Sequence, residues 1–185
     1  MGSDVFIFHG TGGDPQENWF PWLKEKLEVL GCKVIVPKFP TPVGQSLEAW
    51  LKILEPYRHQ INSDTILIGH SLGGIFTLKL LERLERPIKL AILVGTPIGI
   101  RPILNFDLDE KFASFIFDWR KIKQNAKNFI VYQSDNDPYV GLENGKELAK
   151  HLGIRLIFVP NSGHFNAKAG YTKFDDLLNQ LKNYL

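Results

Sequence analysis

Six short apolar segments recur along the 185-residue chain, and each is followed by a longer stretch whose apolar residues have helical spacing. Continuous apolar runs of this kind are typical of parallel strands that are covered on both faces. The alternation predicts an α/β fold: a doubly wound, mostly parallel six-stranded sheet with helices on both faces. The predicted strands are residues 5–8, 33–36, 65–68, 90–94, 129–132 and 155–159.

The helical stretches have clear apolar faces, and no linker, repeat or low-complexity segment interrupts residues 1–185. We therefore expect a single α/β domain that spans the whole chain. Two faces stand out, one in the second helical stretch and one in the last. They are formed by Leu47, Trp50, Leu51, Leu54 and Ile61, and by Phe174, Leu177, Leu178 and Leu181.

Composition and charge narrow the class of protein. The net charge is only +2, and the basic residues are scattered, so neither nucleic acid nor a membrane surface is an expected partner. Cys32 is the single cysteine, which excludes a disulfide framework and a cysteine-rich metal site. No apolar run approaches the length of a membrane span, and the residues before the first strand show neither the basic nor the apolar region of a signal peptide. We expect a cytoplasmic protein.

The pentapeptide Gly-His-Ser-Leu-Gly at residues 69–73 lies between a predicted strand and a predicted helix. In so tight a strand-to-helix turn, the central Ser71 adopts a strained backbone and projects its Oγ above the carboxyl edge of the sheet. The flanking glycines leave room where a Cβ would clash. The pattern alone arises easily by chance, but in this context it predicts a serine nucleophile for acyl transfer.

A serine nucleophile needs a general base, and elimination among the five histidines favours His164. His59 and His151 lie on helical stretches, where a solvated role is expected. His70 adjoins the nucleophile but points away from it, so packing or hydrogen bonding is expected. His9 ends the first strand, where organising the following loop suits it better. His164 lies in a glycine-containing loop after the last strand and is within reach of Ser71.

Two aspartates after the fifth strand are candidates for the acid that orients the base. Pro138 favours an extended backbone at Asp137, which suits a carboxylate that projects towards His164. Asp135 lies earlier in the turn, where a hydrogen bond to the loop backbone is expected. Asp137 is preferred on position. The order serine, aspartate, histidine is that of α/β-hydrolases.

An oxyanion hole requires two N–H groups directed at the developing negative charge. Leu72 follows the nucleophile at the start of a helix and supplies the first. Thr11, in the glycine-rich turn after the first strand, is the predicted second donor. A phosphate cradle is the other interpretation of this turn, but it lacks the motifs of nucleotide-binding loops.

Several motifs together resemble those of a known family. They are Phe8-His9-Gly10, Asn18-Trp19-Phe20-Pro21-Trp22-Leu23, Pro40, Leu47-Glu48-Ala49-Trp50-Leu51, the pentapeptide, Asp135-Asn136-Asp137-Pro138 and Gly163-His164-Phe165. They resemble the small α/β-hydrolase serine hydrolases grouped with YdeN and retinoblastoma-binding protein 9. The resemblance covers nearly the whole chain and implies a compact α/β-hydrolase without the first two strands or a large lid. It also implies the triad Ser71, Asp137 and His164 and a carboxylesterase-like activity. Gly141 departs from the family, where many members have proline.

The substrate pocket is predicted to border the turn after the first strand. His9 and Gly10 lie in that turn, and Trp19 follows it, whereas Trp50 is expected in the core. The aromatic-rich segment 101–127 has two open interpretations: a short helical cap over Ser71 or an ordinary crossover helix. An enclosed aromatic pocket would favour short-chain or aromatic acyl groups.

The sequence as a whole predicts a serine hydrolase that cleaves a carboxylic ester of a small substrate without cofactor or metal. Thioesters, amides and small peptides are alternatives within the same class. A non-catalytic protein-interaction module on a hydrolase scaffold is the alternative from another class. Dehalogenase and epoxide chemistry is excluded, because it needs a carboxylate at the position of Ser71.

Overall fold

The computed structural model describes residues 3–185 and contains a six-stranded sheet whose neighbouring strands are all parallel. The order across the sheet is β2-β1-β3-β4-β5-β6. The predicted α/β fold is thus confirmed. The strands are β1 (Asp4–Phe8), β2 (Lys33–Ile35), β3 (Ile66–His70), β4 (Leu90–Val94), β5 (Phe129–Gln133) and β6 (Ile157–Phe158).

Helices connect the strands and cover both faces of the sheet. They are α1 (Phe20–Val29), α2 (Leu47–Leu54), α3 (Leu72–Leu81), α4 (Phe106–Ala113), α5 (Trp119–Gln124), α6 (Leu142–Leu152) and α7 (Asp175–Lys182). Short 3₁₀ turns occupy Glu55–Gln60 and Ala167–Ala169. None of the helices within residues 3–185 combines the length and apolar character needed to cross a bilayer.

The two sides of the sheet carry separate apolar cores, because successive side chains of a strand point to opposite faces. In β1, Phe6 and Phe8 pack with α2 and α3 on one side. Val5 and Ile7 pack with α1 and α7 on the other. The helix α3 is buried along its whole length. The segment behind the nucleophile is therefore held rigidly on both sides.

The strand order reverses between β1 and β3, and such a switch point opens a crevice at the carboxyl ends of the strands. The turn after β1 and the Ser71 turn after β3 both border this crevice. The loops after β5 and β6 reach the same edge of the sheet. The topology thus gathers all four predicted site segments.

Most strand ends differ from the prediction by one or two residues, and three differences are larger. The last strand is only two residues long, and Pro160 soon follows it without an N–H to extend the ladder. The second helix ends at Leu54 and continues as a 3₁₀ turn that contains Pro56, so Ile61 lies beyond the helix. The segment 101–127 forms two short helices, α4 and α5, instead of one crossover helix.

Candidate active site

The turn between β3 and α3 holds Ser71 in a strained conformation, with φ of 56° and ψ of −123°. A non-glycine residue rarely adopts a positive φ, and such strain persists only where the surroundings enforce it. The Ser71 N–H donates to the Val94 carbonyl at 2.9 Å. A Cβ on Gly69 would overlap the Gly73 backbone, and one on Gly73 would overlap the Phe8 carbonyl. The two glycines therefore allow the turn to close.

The turn after β1 lies directly beside the nucleophile. A Cβ on Gly10 would stand 2.7 Å from the Ser71 Cβ, so only glycine permits this approach. A hydrogen bond from Gly13 N–H to the Gly10 carbonyl, at 3.0 Å, closes the turn, and Gly12 has φ of 70°. These values match a type II turn, which does not use the N–H of its second residue, Thr11.

The two predicted oxyanion donors are the N–H groups of Leu72 and Thr11. Leu72 is the first residue of α3, so its N–H has no intrahelical acceptor, and the helix dipole favours negative charge there. Thr11 lines the same cleft as Ser71. Both predicted oxyanion donors thus lie on the turns that flank the nucleophile.

His164 and Asp137 are hydrogen bonded, with 2.7 Å between His164 Nδ1 and Asp137 Oδ2. The other carboxylate oxygen of Asp137 accepts the N–H groups of Tyr139 and Val140 at 2.8 and 3.0 Å. A carboxylate only accepts hydrogen bonds, so this pair places a hydrogen on Nδ1 and leaves Nε2 as the ring atom that can act as the base. The imidazole is therefore in the tautomer that a general base needs.

His164 and Ser71 line one cleft, although no hydrogen bond joins their side chains within residues 3–185. Such bonds are often long before substrate binds and shorten in the reacting complex. The structure therefore brings the predicted nucleophile, base and acid to one place. Their catalytic roles stay predictions.

Asp135, the other acid candidate, does not contact His164. Its side chain is exposed, and Oδ1 accepts the N–H of Asn161 at 2.8 Å. This backbone hydrogen bond holds the pKa of Asp135 below its ordinary value. The geometry favours Asp137 over Asp135 as the partner of the base.

The remaining histidines have structural surroundings. His9 is buried, and its Nε2 accepts the Phe39 N–H at 3.1 Å, while Nδ1 lies 3.0 Å from the Gly10 carbonyl. Burial lowers the pKa of His9, so the ring is neutral and organises the turn. His59 is exposed on a 3₁₀ turn, and His151 is exposed on α6.

The cleft has a volume of about 610 Å³, and its walls are a mixture of polar and apolar surface. Its lining comprises residues of the β1 turn, the nucleophile turn and the loops near β5 and β6. The lining residues are Gly10, Thr11, Gly12, Gly13, Gln16, Glu17, Asn18, His70, Ser71, Asn105, Tyr139, His164, Asn166, Ala167, Lys168 and Thr172. Gly10 borders the cleft as predicted.

Two predicted pocket residues do not border the cleft, and the prediction is wrong for both. The side chains of His9 and Trp19 are 0% exposed. His9 turns inward to Phe39, and the Trp19 indole N–H donates to the Phe165 carbonyl at 3.0 Å. Both side chains support loops of the site from below.

The aromatic residues of segment 101–127 do not enclose the nucleophile. Asn105 is the only residue of that segment in the cleft lining. Phe112 packs in the core against Trp50, with ring centroids 5.0 Å apart. An aromatic cap over Ser71 is therefore absent among the described residues.

Sequence reasoning missed the buried carboxyl of Asp109, on α4. Its side chain is 3% exposed, and its Oδ1 accepts a 3.3 Å hydrogen bond from Thr11 Oγ1. Burial raises the pKa of Asp109 to about 7, while the Thr11 hydroxyl acts in the opposite direction. Asp107 and Glu110 are also acidic, so nothing in this part of the sequence singles out Asp109 as the buried carboxyl.

Sequence reasoning also missed Gln133 as a neighbour of the predicted acid, and it gave His70 a packing or hydrogen-bonding role without identifying His164 as the partner. Gln133 is buried at the end of β5, and its Nε2 lies 3.4 Å from Asp137 Oδ2. The ring of His70 contacts that of His164, with centroids 4.7 Å apart. For both Gln133 and His70, the only feature of the sequence that could have indicated a role at the site is a polar residue at the end of an apolar strand.

Comparison with known proteins places the chain in context. The family described as Serine hydrolase matches residues 5–183. YdeN of Bacillus subtilis (strain 168) is 30% identical over 184 residues, which are 100% of this chain and 97% of YdeN. The serine hydrolase RBBP9 of Rattus norvegicus is 27% identical over 189 residues, which cover 98% of this chain and 94% of RBBP9.

Solved structures agree with these matches. The crystal structure of the ydeN gene product from B. subtilis has a TM-score of 0.91 at 33% identity and covers 98% of each chain. Est1E from Butyrivibrio proteoclasticus, solved with ferulic acid bound, has a TM-score of 0.69 at 16% identity. That match covers 97% of this chain and 90% of Est1E, and it concerns the fold alone. The resemblance drawn from the sequence motifs is confirmed.

Proposed function

The chain belongs to the serine hydrolase family, and from this premise we propose that it cleaves carboxylic esters of small substrates through an acyl-enzyme on Ser71. One observation carries the proposal. The hydrogen-bonded pair of His164 and Asp137, at 2.7 Å, shares a cleft with a strained serine. A serine, an oriented imidazole and a carboxylate in this relation perform acyl transfer.

In the first step His164 Nε2 takes the proton of the Ser71 hydroxyl, and Oγ attacks the ester carbonyl carbon. The carbonyl oxygen becomes an oxyanion, which the N–H groups of Leu72 and Thr11 stabilise. The carboxylate of Asp137 keeps the imidazole oriented and stabilises its charged form.

In the second step the protonated His164 gives its proton to the departing alcohol, which leaves the acyl group on Ser71. Water then enters, loses a proton to His164 Nε2 and attacks the acyl carbonyl. Collapse of the second tetrahedral intermediate releases the acid and restores the serine hydroxyl. Neither step requires a cofactor.

The lining of the cleft supports a substrate with a short acyl chain. Its walls carry the side chains of Gln16, Asn18, Asn105 and Asn166 and present few apolar side chains for a long alkyl chain. A buried alkyl chain gains about 0.8 kcal/mol per CH₂ only when apolar surface covers it. We therefore expect activity to fall as the acyl chain lengthens.

Two measurements test the proposal. A fluorophosphonate probe should label the wild-type protein on Ser71, and Ser71→Ala should abolish both labelling and hydrolysis of p-nitrophenyl acetate. A series from acetyl to decanoyl esters should show the highest kcat/KM at the short end. Absence of an adduct on folded protein would contradict hydrolysis and favour an interaction module, while preferred cleavage of thioesters or amides would reassign the substrate.

A further inference from the structure

The loop that carries His164, residues 160–164, receives little support from the main-chain ladder. The N–H of Val159 donates to the Gln133 carbonyl at 3.0 Å, and the ladder ends there because Pro160 has no N–H. Asn161 then adopts φ of 56°, which non-glycine residues rarely do. Other contacts must fix this loop, which we call the base loop.

Three consecutive side chains after β5 supply those contacts. Each accepts a hydrogen bond from a main-chain N–H of the base loop, so side chains replace the missing ladder. The donor and acceptor pairs are Asn161 with Asp135 at 2.8 Å, Ser162 with Ser134 at 2.9 Å and Gly163 with Asn136 at 2.7 Å.

Asn136 forms the contact nearest the base. Its Oδ1 accepts the Gly163 N–H and also a 2.8 Å hydrogen bond from the Ser134 hydroxyl, which fixes the orientation of the amide. Asn136 directly precedes Asp137 in the chain, and Gly163 directly precedes His164. The residues before the acid and before the base are therefore tied together.

His70 contacts His164 from the side opposite Asn136. Its Nε2 lies 2.7 Å from the His164 carbonyl oxygen, and its ring is 4% exposed. Burial lowers the pKa of His70 to about 3, so the ring is neutral and donates its Nε2–H to the carbonyl. His70 directly precedes Ser71, so this contact ties the base to the nucleophile turn.

We propose that Asn136 and His70 are positioning residues, which hold the main chain of His164 from the acid side and the nucleophile side. The proposal rests on the proposed acyl-transfer mechanism. It explains how a base on an irregular loop stays within reach of both Asp137 and Ser71. Small displacements of a reacting group lower the rate strongly, although substrate binding is unaffected.

The test compares Asn136→Ala, which removes the acceptor, with Asn136→Asp, which keeps it. Asn136→Ala should lower kcat on p-nitrophenyl acetate about tenfold with KM nearly unchanged, because only the geometry of the base is disturbed. Asn136→Asp should have a kcat close to that of the wild type. The strongly deshielded Nδ1 proton of His164 in proton NMR spectra should weaken in Asn136→Ala and return in Asn136→Asp.

Asn128→Ala is the matched control. Asn128 is also exposed and also holds a loop backbone, through a 3.1 Å hydrogen bond to the Lys89 carbonyl, but it lies at the opposite end of β5. It should leave kcat and the Nδ1 signal unchanged. His70→Phe, which keeps a ring but loses the donor, should lower kcat in the same way if Asn136→Ala does not fold.

An unchanged kcat and Nδ1 signal in folded Asn136→Ala, or in its substitute His70→Phe, would overturn the proposal. Equal losses in Asn136→Ala and Asn136→Asp would do the same, because the acceptor would then have no role. Failure of the proposed function has a different outcome. In that case the wild-type protein itself would lack labelling on Ser71 and hydrolysis of the ester.

Discussion

The nucleophile turn and the base loop are held in place by different means. Ser71 is fixed by main-chain packing, through the end of β3, the start of α3 and the two glycines that let the turn close, one of them against the Phe8 carbonyl of β1. His164 is fixed by partners from distant parts of the chain. Asn136 lies 27 residues from its partner Gly163, and His70 lies 94 residues from His164.

Because of this difference, the two regions should tolerate different kinds of substitution. A turn built from close main-chain packing fails as a unit when one atom is added, because no flexible side chain can move aside. A loop held by several separate hydrogen bonds loses them one at a time, at about 1 kcal/mol each. Substitutions in the two regions should therefore differ in kind, with loss of folding in the first and graded loss of activity in the second.

The largest effect is expected from Gly73→Ala. The added Cβ would overlap the Phe8 carbonyl, which belongs to β1 and has no freedom to move. We expect the free energy of unfolding to fall by on the order of 5 kcal/mol, with little folded protein recovered. Urea unfolding followed by circular dichroism measures this.

Gly153→Ala is the control for that substitution. Gly153 caps the end of α6, with φ of 75°, and a Cβ there meets nothing within 4 Å. It should cost only about 1–2 kcal/mol, for the left-handed backbone alone. Equal losses at the two glycines would contradict the steric account of the nucleophile turn.

The next effect is expected from Asp137→Asn, which leaves the nucleophile turn intact and acts through the base. The amide does not hold the imidazole in the required tautomer, and comparable changes lower kcat by about 10⁴-fold. The thermal midpoint should change far less than the activity. Ester hydrolysis and differential scanning fluorimetry on the same preparation provide the two measurements.

Asp135→Asn is the control within the same loop. The amide oxygen can still accept the Asn161 N–H, so kcat should change by no more than about threefold. If Asp135→Asn inactivates the enzyme and Asp137→Asn does not, the acid has been assigned to the wrong residue.

The difference between main-chain packing and distant side-chain contacts also explains which features could be predicted from the sequence. The sheet, its helices and the strained Ser71 follow from patterns within a few residues, because strand and helix periodicity and the flanking glycines are local. Gly10 and Thr11 could be placed beside Ser71 because all parallel strands end at one edge. Local pattern and topology together predicted the fold and the convergence of the site.

Side-chain partners over long separations could not be predicted. Trp19 was placed in the pocket, but its indole turns inward to a carbonyl 146 residues away. Asp109 was passed over because nothing near it in sequence shows that the helix buries it against Thr11. Such contacts depend on which face of an element packs inward, and the rotation of a short helix is set by tertiary packing.

A smaller effect, on stability, is expected from Asp109. Burial raises its pKa to about 7, so between about pH 4 and 7 the folded protein binds a proton that the unfolded chain has lost. Stability from this group therefore falls as pH rises through that range, and the full penalty applies above it. From about pH 5 to about pH 8 the wild type should lose on the order of 3 kcal/mol more than Asp109→Asn.

Urea midpoints of both proteins at the two pH values measure this difference, and groups common to both cancel. This comparison concerns the nucleophile side of the site alone, because Asp109 contacts the turn beside the nucleophile and does not contact the base loop. Parallel pH dependence of wild type and Asp109→Asn would show that the carboxyl titrates in its ordinary range.

The smallest effect is expected from Trp19→Phe, which removes one anchor from the segment just after the base. The indole N–H donates to the Phe165 carbonyl at 3.0 Å, and its loss leaves that buried carbonyl without a partner, at a cost of about 1–2 kcal/mol. Trp50→Phe is a close match, because Trp50 is equally buried and donates to the Pro40 carbonyl at 3.0 Å. Both variants should lose similar stability, measured by urea unfolding.

Only Trp19→Phe should also lower kcat, by about threefold, because Phe165 directly follows His164 and a looser anchor there widens the range of imidazole positions. If the two variants lower kcat equally, the loss reflects general destabilisation, and the base loop does not depend on its distant partners. A selective loss in Trp19→Phe would show that the base, unlike the nucleophile, is placed by side chains far away in sequence.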